Sequence, residues 1–157
     1  MKNPADIQHQ GFTLIELVMV IVILGVLAAV AMPKFVNLSS DSRVAAIKGL
    51  QSAVTSAAMM AHMKCAVTNG CDISALQSGG TITINNVSGQ LSYGYPAEAS
   101  TTPYIRIDQT IDFPGFSFIG TSPAVFTKDS APNPVACSVT YSKANGMLSV
   151  SISTSGC

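Results

Sequence analysis

The chain has 157 residues, with 8 basic and 8 acidic side chains, 4 cysteines and no tryptophan. Only 10% of residues are charged and 48% are hydrophobic, against roughly 25% charged in an ordinary soluble domain, and that balance excludes a disordered chain. Zero net charge argues against a nucleic-acid binder, which needs a basic face to displace counterions, so the question becomes where the charge is missing.

Residues 1–11, MKNPADIQHQG, read as a short polar leader whose charged side chains are Lys2 and Asp6. From Phe12 to Met32 the one ionisable side chain is Glu16. As a helix, 21 residues rise about 30 Å, the thickness of a bilayer core. A buried core helix is a poor alternative, because the run is apolar on every face and a chain of 157 residues is too short to wrap it. An ordinary secretory signal is a second alternative, and Ala29-Val30-Ala31 has the small-x-small pattern. The run is longer than the usual 7–15 residues, however, and it carries a carboxylate near its start. Loop charges compare Lys2 with Lys34, Arg43 and Lys48 and leave the topology open.

Glu16 is the informative anomaly. A carboxylate within a membrane helix costs about 2.5–3.5 kcal/mol on insertion scales, softened near a helix start by the dipole. It is either an interfacial residue reaching the headgroups or a charge awaiting a cationic partner. A cut between Gly11 and Phe12 would create such a partner, an α-amino group four residues before Glu16. Identical helices staggered by one turn would then pair each Glu16 with a neighbour's amine.

Next in the chain, Pro33 removes a backbone donor and Gly25 is a second weak point, so a kink or local break is expected there. From residue 34 the pattern is amphipathic: Val44, Ile47, Leu50, Val54, Ala57, Ala58 and Ala61 recur at spacings of three and four. The helix is predicted from about Phe12 to Met63, with 12–33 as its membrane or filament-core half and 34–63 as its amphipathic half. Met59, Met60 and Met63 read as packing surface. Residues 64–157 read as a β-rich head, with strands near 81–84, 103–107, 116–119, 135–142 and 147–153. Lys143-Ala144-Asn145-Gly146 supplies a hairpin turn between the last two, and loops and edge strands are expected between Tyr93 and Pro134. The fold class is therefore α+β, a long N-terminal helix whose second half packs on a small antiparallel sheet.

Cys65, Cys71, Cys137 and Cys157 all follow the apolar run, which fits an oxidising compartment. Three pairings are possible. The favoured one joins Cys65 to Cys71 across a short loop and Cys137 to Cys157 between hairpin and tail. No cysteine spacing matches a zinc site, and no cofactor or metal is expected. Asp108 and Asp112 read as surface groups, and His62 lacks a nucleophile motif around it, so no catalytic residue is assigned.

Gly11-Phe12-Thr13-Leu14-Ile15-Glu16, followed by the apolar run, resembles the prepilin signature of type IV pilins. The resemblance implies cleavage between Gly11 and Phe12 by a prepilin peptidase at the cytoplasmic membrane face. It further implies N-methylation of Phe12 and an assembly role for Glu16. It implies unwinding from Gly25 to Pro33 in the assembled state, and Leu14 to Val30 passing from lipid into a filament core. Pro33-Lys34-Phe35-Val36-Asn37-Leu38, Asp41, Arg43, Gly49-Leu50, Gly94-Tyr95-Pro96 and Gly156-Cys157 are similar to the mannose-sensitive haemagglutinin type within type IVa pilins. The implied partners are further copies of the chain in a helical filament, the peptidase, the inner-membrane assembly machinery, and surfaces or host receptors. The implied locations are the inner membrane before assembly and an extracellular pilus after it. A type II secretion pseudopilin or a minor pilin shares the N-terminal motif. A membrane-anchored extracytoplasmic binding domain that never polymerises is an alternative of another class.

Overall fold

The structure, a computed structural model, describes residues 12–99 and 102–157, with backbone alone at 33–37. The leader, with Gly11, lies outside the described residues. The chain divides into two compact units, Met1–Ser39 and Ser40–Cys157.

One long helix, α1, spans Leu14–Ala66, ending three residues beyond the expected Met63. Its first stretch is rich in valine and isoleucine, which are weak helix formers in water. In hydrocarbon the helix wins because it satisfies every backbone group internally. Helical backbone continues through Gly25 and Pro33. After Ala66 the chain turns sharply: the Thr68 amide donates to the Cys65 carbonyl at 3.0 Å, and Gly70 takes φ +82°.

In the second unit, β1 (Ile82–Ile84) and β2 (Val87–Gly89) form a hairpin. Its two turn residues, Asn85 and Asn86, have φ of +48° and +62°, as a two-residue primed turn requires. The main sheet is antiparallel with the order β3 (Phe116–Ile119), β4 (Ala124–Lys128), β5 (Ser138–Ala144), β6 (Met147–Ser153). Asn145 and Gly146, at φ +50° and +79°, make the β5–β6 turn and set Ala144 opposite Met147.

Three local expectations differ from the result. Residues 103–107 form single bridges at Tyr104 and Arg106 rather than a strand. The chain closes instead into a short 3-10 turn at Ile107–Gln109, held by the Arg106 amide donating to Gln109 Oε1 at 2.9 Å. The strand expected from Val135 starts at Ser138, because Pro134–Ala136 form another 3-10 turn. The region expected to hold loops and edge strands contains β4, which is central in the sheet.

Alternation explains the core. Phe126 from β4 with Val139 and Tyr141 from β5 meet Ile47, Leu50, Val54 and Ala58 of α1. A smaller cluster joins Ala61 and Cys65 of α1 to Ile82, Leu91 and Ile105. Tyr141 is fully buried, and its hydroxyl donates to the Pro96 carbonyl at 2.7 Å. Burial and the nearby Glu98 carboxylate raise the Tyr141 pKa, since both disfavour the phenolate. Glu98 ties three segments together, accepting from the Lys143 amide at 2.6 Å and from the Ser122 hydroxyl.

Candidate assembly site

The helix start is built by Thr13 and Glu16. The Thr13 amide and hydroxyl donate to Glu16 Oε2 at 2.9 and 2.8 Å, and the Glu16 amide donates to Thr13 Oγ1 at 3.3 Å. This is a reciprocal capping box, in which a Thr before the helix and a Glu three residues on satisfy each other's orphan donors. Thr13-Leu14-Ile15-Glu16 carries that signature, and the sequence reading passed over it. Glu16 therefore has a local partner in the single chain, and its charge faces the favourable end of the helix dipole.

Phe12 is 90% exposed, and every large apolar residue from Leu14 to Met32 is at least 41% exposed. Leu14–Met32 is long and apolar enough to cross a membrane. Gly25 has open space where a Cβ would stand. Among the described residues, Leu14–Met32 is thus an exposed apolar helix whose one carboxylate is Glu16, near its start.

The head-side residues are tied covalently. Cys65 is bonded to Cys71 and Cys137 to Cys157, with Cα separations of 5.2 and 5.0 Å, ordinary spans for a disulfide. The Arg43 guanidinium on α1 donates to the Cys157 carbonyl, so the tail is fastened to both β5's approach and the helix. His62 stacks on Tyr95 with centroids 4.3 Å apart, and its Nδ1 lies 3.2 Å from the Tyr93 carbonyl, which makes it a packing residue. Asp108 pairs with Arg106, and that contact raises the guanidinium pKa. Burial lowers the Lys143 pKa, against the opposing pull of Glu98. Among the described residues, no group of three or more His, Cys, Asp or Glu side chains is placed to hold a metal.

With this geometry in view, residues 8–32 match the family described as the prokaryotic N-terminal methylation motif. The chain carries the N-terminal methylation motif of type IV pilins. It is also similar to the type IV narrow pilus major component PilA5 of Thermus thermophilus, at 43% identity over 63 residues. That alignment covers 40% of this chain and 54% of the relative, so the chain spans about half the length of the curated relative it matches. No solved structure matches. The motif coincides with the exposed apolar stretch, and the capping pair Thr13–Glu16 lies inside it.

Proposed function

We propose that the chain is the precursor of a structural subunit of a type IV pilus, of type IVa and of the mannose-sensitive haemagglutinin kind. The observation that supports this most is the unburied helix from Leu14 to Met32, apolar but for Glu16 and lying within the methylation motif. A peptidase removes residues 1–11 and methylates Phe12. The subunit waits in the inner membrane, where lipid covers the helix. On docking, Leu14 to Val30 exchange lipid for neighbouring helices, so little apolar surface meets water. Glu16 leaves its cap to pair with a neighbour's Phe12 amine, which sets the stagger. Residues from Gly25 to Pro33 unwind in the filament. The head faces outward and meets surfaces or host receptors.

The late Cys137–Cys157 bond favours a pilin over a type II secretion pseudopilin, and the similarity to a narrow-pilus major component favours a major subunit over a minor one. Electron microscopy of cells lacking the gene tests the proposal. Loss of surface filaments is the expected result. Unchanged filaments would exclude the major-subunit role and favour a non-polymerising anchored domain. Glu16→Ala gives the finer test. The variant is expected to be cleaved normally but to yield roughly a hundredfold fewer filaments or less, since deleting one partner of a desolvated charge pair costs about 3–5 kcal/mol. A normal yield would remove Glu16 from docking.

A further inference from the structure

A cavity in the second unit carries charges that the head leaves unpaired. It measures about 270 Å³, and Glu98 and Lys143 both line it. Glu98 is 9% exposed. An acidic side chain is rarely buried that far unless a cation pairs with it. The bonds to its carboxylate come instead from neutral donors, the Lys143 amide and the Ser122 hydroxyl. The Lys143 side chain is half-buried. Among the described residues the ion pair is Arg106–Asp108, so the Lys143 ammonium and the Glu98 carboxylate do not meet, although they share one cavity.

A third group there is also unmatched. Ser92 lines the cavity and is 4% exposed, and among the described residues its hydroxyl has no hydrogen-bond partner. Native folds seldom leave such a group without one. One cavity thus gathers a buried carboxylate, an unpaired ammonium and a spare hydroxyl. Leu76, Ala97 and Tyr104 give the same cavity an apolar wall.

We infer that this cavity binds a free α-amino acid with an apolar side chain. The ligand's ammonium lies against Glu98 and its carboxylate against Lys143, so both buried charges are paired at once. A simple anion would face the Glu98 carboxylate, and a simple cation would face the Lys143 ammonium. A zwitterion avoids both repulsions and gains two charge-assisted contacts. Glu98 has room for it, because each oxygen holds one bond and keeps a second lone pair. Lys143 brings three donors, and the Ser92 hydroxyl can give or accept one more bond. The ligand's side chain then rests on Leu76, Ala97 and Tyr104. Drug-sized molecules occupy pockets of roughly 300–1,000 Å³, and the smaller volume here suits a single amino acid rather than a peptide. The inference stands apart from the filament reading and does not depend on it.

The test is titration of the full chain, purified in detergent, with L-leucine, read by isothermal calorimetry. Saturable binding is expected. Isocaproate, which lacks the ammonium, and isopentylamine, which lacks the carboxylate, are each expected to bind at least roughly tenfold more weakly, since each loses a bond to a charged group. Leucine that does not bind, or that binds no better than either half-ligand or glycerol, overturns the inference. Lys143→Met removes the ammonium and keeps the backbone amide that Glu98 uses. In that variant leucine is expected to fall to the level of isopentylamine, whose own affinity does not drop. Leucine held as tightly by the variant as by the wild type overturns the assignment of Lys143. The comparison of ligands needs only the unaltered chain, so it decides the matter even where the variant fails to fold.

Discussion

The stretches Leu14–Met32 and Val44–Ala61 belong to one helix, yet they are written for different surroundings. The first places leucine, valine and isoleucine on every face, and none of them is buried. The second sets a stripe of apolar residues at spacings of three and four against the sheet, and Ile47, Leu50, Val54, Ala57, Ala58 and Ala61 are all buried. Where the helix packs on a sheet, small alanines allow close approach and charges occupy the other side. Where the surroundings are lipid or other copies of the helix, no side has to be polar. Stability of the head and insertion of the first stretch are therefore separate properties, and they should fail separately.

The largest expected effect is on the head alone. Phe126 is fully buried against Phe113 and Phe118, with centroids at 5.2 and 4.9 Å. Phe126→Ala should cost about 3–5 kcal/mol, read as a loss of thermal stability of the head, with membrane insertion unchanged. Next, replacing Cys137 and Cys157 by serine opens a loop of 20 residues, for a loss of about 3 kcal/mol. The same change at Cys65 and Cys71, which are six residues apart, should cost less. Denaturant unfolding with and without the bonds measures both. Leu24→Arg reverses the pattern: about 2.5–3.5 kcal/mol against insertion, seen by membrane fractionation, with the melting of the head unmoved. A shift in head melting for Leu24→Arg would break the separation of the two regions.

The smallest effect sharpens the picture of the head core. Tyr141→Phe leaves the Pro96 carbonyl without its donor and should cost about 1–3 kcal/mol. It should also change the alkaline response. The folded chain holds the Tyr141 phenol neutral, with its pKa raised above the ordinary 10.0. The contribution is therefore full below the unfolded pKa and falls as pH rises through it, because the unfolded phenol then ionises while the folded one does not. Unfolding measured between neutral pH and about pH 11 should show that decline in the wild type and less of it in the Phe variant.

The parts legible in the sequence were those with a strong period. The apolar run, the buried stripe from Ile47 to Ala61, and the Asn145-Gly146 turn with its flanking alternation all follow from local rules. β4 was not legible, because Ala124-Val125-Phe126-Thr127-Lys128 is short and sits among prolines and glycines. It is a strand only because Phe126 fills the core between its neighbours. Pro103–Ile107 erred the other way. Its β-prone residues lose to the Gln109 side chain, which captures the Arg106 amide and tightens the chain into a turn. At the site, Glu16 drew notice as a charge in an apolar run, while its capping partner Thr13 was overlooked although the spacing of three announces it.

N-terminal mass analysis of filaments sheared from the cell surface tests the central claim most directly. A mature chain beginning at Phe12, with one methyl group on its amine, is the predicted result. Filaments that lack this chain, or that contain it with residues 1–11 still attached, would contradict the account.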